Sequence, residues 1–303
     1  MMTPVLELAS PDFPHFPRVP SLPSLPSLPG VVGLPPSRPP ASLAPLARVL
    51  ETAHTLPHLP HILVEVLSGR LTAPGGVLGA LNADANLRGA VMAAVRLRHG
   101  AVPPLLETWI RLGNATMLSH VVDAALVLHL DRQPAPINSG QQARRLPHAF
   151  AVAGALVALA RAEPDLDPVA AAAVGALHIV GEIALEQTLR LVAPRVAARL
   201  ALGEITMAEV EVALRLNRFR AGAAVLTLQG LPAELAHAIA RQPDPSGHGL
   251  ATRLRQARQA AVLAGFPADG VDAGGPPPPR EAVVAASEHV VRIERLQRVL
   301  CVR

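Results

Sequence analysis

The sequence has no lysine and no tyrosine, one tryptophan (Trp109), five phenylalanines and one cysteine (Cys301). Each scarcity excludes something. Without Lys or Tyr almost nothing titrates between His and Arg, so the isoelectric point of about 10.9 overstates how basic the chain is. The formal net charge is only +4. With so few aromatic rings to stack on bases, single-strand nucleic-acid recognition is disfavoured, and a nucleic-acid partner is not expected. One cysteine forbids an intramolecular disulfide or a thiolate metal cluster within one chain, and a reducing compartment is the natural expectation. Long apolar runs are also missing. The longest uncharged stretches, Leu146 to Ala160 and Pro168 to Gly181, fall short of the roughly 20 residues a spanning helix needs. Proline interrupts every N-terminal stretch that could serve as a secretory signal. A cytoplasmic location with no membrane span is therefore expected.

What is present favours helices. Ala, Leu and Val dominate a composition that is 50% hydrophobic, and Ala and Leu lose little side-chain freedom in a helix. The β-branched and aromatic enrichment of sheets comes from Val alone. Residues 1–44 are Pro-rich, with Ser-Leu-Pro repeated from Ser21 to Pro29, and read as an extended, disordered tail. A helical domain is expected over 45–265, a Gly/Pro linker over 266–280, and an amphipathic C-terminal helix over 281–303. Asp84 is placed to cap a helix running to about Leu97, and Pro103-Pro104 opens one that stops near Gly113. Asn114 begins a third. A polar loop is expected over Gln133 to Arg145, followed by helices from Pro147 to Ala162 and Pro168 to Leu191. Shorter helices fit Val192 to Leu202, Thr206 to Arg215 with a Thr206/Glu209 capping box, Phe219 to Gln229 and Pro232 to Arg241. The last helix, about Glu281 to Leu300, carries Val283, Val290, Ile293, Leu296 and Leu300 near one face. That stripe needs a cover, either its own domain or a second chain through self-association.

Several landmarks fall in an order that resembles the HDOD family, a non-catalytic relative of the HD phosphohydrolases in bacterial signalling proteins. Leu56 to Pro60, LPHLP, resembles the family's opening LPxLP. Asp84-Ala85 stands where the family has Asp-Pro. Ile110-Arg111-Leu112-Gly113 is similar to the Ile-x-x-Leu-Gly turn. Gly175 to Gly181, GALHIVG, resembles GLLHDIG. Gly222-Ala223-Ala224-Val225-Leu226, then Gly230-Leu231-Pro232, resembles the closing GAxLL…xLP. The likeness spans about Leu56 to Gln242. It implies an all-α multi-helix bundle with an N-terminal helical lobe and an HD-like lobe, matching the strand-free periodicity.

The resemblance also implies where a metal would sit in an active relative: His and Asp side chains from several helices, converging to activate water. His148 and His178 resemble two of those histidine positions. Ile179 stands where Asp should follow the second His, and Asn217-Arg218 stand at the later Asp-His position. Ile cannot ligate, and an Arg repels a cation. No catalytic residue, metal or cofactor is therefore expected. His178 is expected in the core or bonded to a backbone carbonyl, and His148 at a helix start facing solvent. Glu182 and Glu186 are expected on a solvated helix face. His54, His58 and His61 cluster at irregular spacing, and Cys301 has nothing to mark it as a nucleophile. The expectation is a degenerate HDOD module that regulates by binding protein partners. The alternatives are a metal-dependent HD-type phosphohydrolase with an unusual site, and nucleic-acid binding through Arg253, Arg255 and Arg258.

Overall fold

The computed structural model describes residues 45–101, 103–242, 249–267 and 277–301. The Pro-rich tail over 1–44, most of the Gly/Pro linker and the side chain of Cys301 lie outside the described residues. Fifteen helices and no strand occur among those described. The fold is all-α.

The first six helices are α1 (Pro45–Ala53), α2 (His61–Leu67), α3 (Pro74–Ala83), α4 (Ala85–His99), α5 (Leu105–Leu112) and α6 (Asn114–Asp131). Local chemistry sets their ends. The Asp84 carboxylate accepts from the Leu87 amide at 2.9 Å, as the cap expected at the start of α4. Gly113, at φ 80°, ends α5 and lets α6 begin at once. Trp109 is buried, while Leu106 and Ile110 on the same short helix face solvent.

The centre is α7 (Ser139–Arg161), which packs against α8 (Pro168–Leu177), α14 (Leu250–Leu263) and α15 (Arg280–Cys301). Every residue of α7 from His148 to Leu156 is buried, so this helix is surrounded on all sides. It begins earlier than expected: the loop ends before Ser139, and Pro147 lies inside the helix instead of opening it. Proline there forfeits one backbone hydrogen bond. The extra turns are held by the ionic anchoring of Arg145 on the neighbouring α9 (Val180–Val192).

The single helix expected over Pro168 to Leu191 is broken into α8 and α9 at His178-Ile179. The His178 imidazole donates from Nδ1 to the Gly175 carbonyl at 2.6 Å. In an unbroken helix that carbonyl would receive the Ile179 amide, so a side chain has displaced the backbone ladder. By length and composition alone the stretch Pro168–Val192 could cross a membrane, but its most apolar window is 78% buried inside this fold. The core needs that apolarity.

The chain continues through α10 (Pro194–Ala201), α11 (Met207–Leu214), α12 (Arg218–Leu228) and α13 (Ala233–Ala240). The Thr206/Glu209 capping box opens α11 as expected. Helices α9 and α12 cross backbone to backbone: a Cβ added to Gly181 would lie 1.7 Å from the Arg218 carbonyl oxygen. Only glycine permits this approach, and it brings α12's first turn to the His178 break. Helix α15 closes on α7, with Ala282, Ala286, Val290, Ile293 and Leu296 buried. The apolar stripe expected to need a cover is thus covered by its own domain.

Candidate functional site

Three elements meet at the α8–α9 break: the middle of α7, the break itself and the first turn of α12. His148 from α7 and His178 from the break lie edge to face, ring centroids 5.3 Å apart. Both are buried. His178 meets the expectation of a core histidine bonded to a carbonyl. His148 does not meet its own, since it is buried within α7 and donates from Nδ1 to the Phe266 carbonyl at 2.8 Å. The deeper start of α7 is what moves it inside.

Because each Nδ1 faces a carbonyl oxygen, each carries the proton, and each Nε2 keeps a bare lone pair. The His148 Nε2 is buried with no hydrogen-bond partner among the described residues. Burial is the main cause holding both imidazoles neutral. It pushes His148 down to about 4 and His178 well below the usual histidine range, and the Arg258 cation pushes each further. Arg218 adds to the effect at His178.

The residue after His178 is Ile179, buried as a core side chain. Asn217 serves the backbone, since its Oδ1 accepts from the Phe219 amide at 2.7 Å and caps α12. Arg218 points back across the α9–α12 crossing. Its Nη1 donates to Glu182 Oε2 at 3.2 Å, and its Nε and backbone amide donate to Glu211 Oε1 at 3.1 and 2.6 Å. Arg145 completes the chain of charges, donating to Glu182 at 3.0 Å and Glu186 at 2.5 Å.

Glu182 and Glu186 are therefore not on a solvated face. Glu186 is 1% exposed and also accepts from the Ile137 amide at 3.2 Å. Burial pushes its carboxyl up, against the pull of Arg145. The polar residues one turn apart resembled a surface pair because the sequence does not reveal that Arg145 and Arg218 approach from α7 and α12. Arg258, read as part of an Arg-rich surface, is buried, with its guanidinium 4.9 Å from the Phe219 ring centre. Arg253 pairs with Glu163. The Arg253, Arg255 and Arg258 set is thus not one open basic face.

A divalent metal does not fit these residues. Of this group the His148 Nε2 is left without a partner among the described residues, and the nearby carboxylates of Glu182, Glu186 and Glu211 are held by arginines. Two guanidinium groups already bring positive charge to the space beside the histidines. His54, His58 and His61 are exposed, and His61 does no more than approach Glu65 at 3.7 Å. Among the described residues no group of three or more His, Cys, Asp or Glu side chains is placed to hold a metal ion.

A second buried polar cluster, which the sequence did not suggest, joins α15 to α6. Asp123, 3% exposed, accepts from Arg292 Nη2 at 2.9 Å, and Arg292 also donates to His289 Nδ1.

No family model matches the chain, and no curated protein matches it by sequence. Solved structures do. The chain is similar to a "putative phosphohydrolase" from Shewanella amazonensis SB2B, with a TM-score of 0.61 and 22% identity over 84% of this chain and 98% of that one. It is similar also to an HDOD domain protein with unknown function from Geobacter sulfurreducens, with a TM-score of 0.58 and 18% identity over 84% and 96%. The fold is HDOD-like. A "putative signal transduction protein" from Marinobacter aquaeolei VT8 matches at a TM-score of 0.58 and 19% identity, over 85% of this chain and 65% of that longer one. At these identities the likeness establishes the HDOD-like fold and leaves the chemistry to the residues themselves.

Proposed function

We propose that this HDOD-like chain is a non-catalytic regulatory module that works by binding protein partners in bacterial signal transduction, within the cytoplasm. The observation that supports it best is the Arg218 guanidinium, bonded to Glu182 and Glu211 beside two neutral histidines. In this reading Arg218 is an internal cation that ties α12 to α9 and α11, and His148, His178, Ile179 and Asn217 are the remaining degenerate HD positions. Breaking such a buried pair is costly, commonly ~3–5 kcal/mol. The vestigial site has thereby become part of the scaffold that shapes the outer surface.

One observation favours a second reading, a metal-dependent HD-type phosphohydrolase: the two histidines converge, and each keeps an unprotonated Nε2. One pair of experiments separates the two readings. Hydrolysis of a generic phosphodiester is measured with Mn²⁺ or Mg²⁺, for the wild type and for His178→Ala. In parallel, partners are captured from the native cell with the full chain and with a chain beginning at Leu46. Our reading expects no metal-dependent turnover and a reproducible partner retained by both chains. Turnover lost in His178→Ala would overturn it, and a partner lost with residues 1–45 would move the function to the Pro-rich segment.

A further inference from the structure

Helix α15 has a second face. Its inner residues are buried against the domain, and the helix is pinned there by Arg292 on Asp123. On the outside, Val284, Glu288, Val291, Arg295 and Val299 follow one another at helical spacing, which confines them to roughly a quarter of the helix circumference. The three valines are 46%, 44% and 40% exposed, and Leu97 of α4 stands beside them at 37%. Together with Ser287, Arg292 and the two charged residues of the stripe, Leu97 and Val291 line an open groove of about 370 Å³. Among the described residues neither Glu288 nor Arg295 has a hydrogen-bond or ion-pair partner.

Read in the opposite direction, the stripe Val, Glu, Val, Arg, Val exchanges its Glu for its Arg, so its charges complement their own reversal. A twofold axis beside Val291 and Arg292 pairs two copies of α15 antiparallel. Glu288 then faces Arg295 of the second copy, and Arg295 faces its Glu288. Val284 faces Val299, and the two Val291 side chains meet near the axis. Arg298, at the edge of the stripe, faces Ala285 and meets no like charge. A parallel pairing would instead set Glu288 against Glu288 and Arg295 against Arg295. The surface is thus self-complementary for one orientation only, as a symmetric isologous interface requires.

We propose that this outer stripe of α15 is a dimerisation surface whose occupant is a second copy of the same chain. It is not the stripe of Val283, Val290, Ile293, Leu296 and Leu300 that the sequence suggested for self-association, since that side faces the domain. The fixed inner face holds the helix rigid before any encounter, which lowers the ordering cost of association. A single 22-residue helix with one flanking side chain makes a modest interface, so the dimer is weak, with Kd on the order of micromolar. The proposal does not depend on the non-catalytic reading.

The test is sedimentation velocity on the full chain, from low micromolar to about 100 µM. The wild type is expected to shift from monomer to dimer across that range. Glu288→Arg alone, and Arg295→Glu alone, each place like charges opposite one another twice per dimer and should weaken association by about tenfold or more. An equal mixture of the two variants restores both ion pairs in the heterodimer and should recover the wild-type affinity. That recovery also shows that neither variant fails through misfolding. A wild type that stays monomeric, single variants that dimerise as well as the wild type, or a mixture no tighter than its components would each overturn the proposal.

Discussion

Acid should unfold this protein at an unusually mild pH, because the fold keeps several histidines neutral. Burial pushes His120, His129, His148 and His289 down to about 4 from an ordinary value of 6.5, and His178 still further. Nearby arginines lower them too, against Asp123 for His120 and His289 and the Phe266 carbonyl for His148. Between pH 4 and 6.5 the unfolded chain binds protons that the folded chain refuses, so this stability is present above about pH 6.5 and is lost as pH falls toward 4. Going from pH 7 to pH 5 costs about 1.8 kcal/mol for each such histidine, or roughly 7 kcal/mol for four. Glu186 acts in the opposite direction, because its raised carboxyl takes up a proton more readily in the folded state, and it offsets part of the loss. A domain is commonly stable by only ~5–15 kcal/mol, so most of that reserve disappears. Urea unfolding at pH 7, 6 and 5 measures it, with uptake of about four protons on unfolding near pH 5. A loss below ~2 kcal/mol between pH 7 and 5 would refute the assignment of these histidines as buried and neutral.

The ion network and the helix crossing give sharper local tests. Arg145→Met leaves Glu186 buried beside Glu182 without its cation, and should cost ~3–5 kcal/mol in denaturant unfolding. Arg145→Met combined with Glu186→Gln should recover part of that loss, since the uncompensated charge is gone. Gly181→Ala forces a methyl group to 1.7 Å from the Arg218 carbonyl, and should cost at least ~3 kcal/mol or prevent folding, read by Tm. Asn217→Ala removes the cap of α12 and should cost ~1 kcal/mol with little other effect.

Sequence reasoning located most helices because their ends are set by local chemistry. Asp84, Gly113, Thr206 with Glu209, and Gly230-Leu231-Pro232 act on backbone groups within a few residues of themselves. It missed where a distant contact overrides a local signal. Pro147 looked like a helix opener, yet α7 runs through it because Arg145 finds two carboxylates on α9. Leu177-His178-Ile179 looked continuous, yet the His178 side chain takes the carbonyl that would carry the helix onward. In the candidate site, that Ile179 offers no ligand atom and that Arg218 brings a positive charge were legible from residue type alone. The partners of Arg218 and Arg145 were not, since Glu182 and Glu186 carry no mark in the sequence that separates a buried pair from a solvated one. His148 was misplaced for the same reason as Pro147.

The central claim is that arginine, not metal, supplies the positive charge beside His148 and His178. It is tested most directly by melting the purified protein at pH 7.5 with and without millimolar Mn²⁺, alongside metal analysis of the protein as isolated. A metal held at about 100 times its Kd would add ~2.7 kcal/mol, a shift of several degrees in Tm for a domain of this size. The account predicts no stoichiometric metal and no such shift. One bound divalent ion per chain, lost together with its Tm gain in His178→Ala, would contradict it.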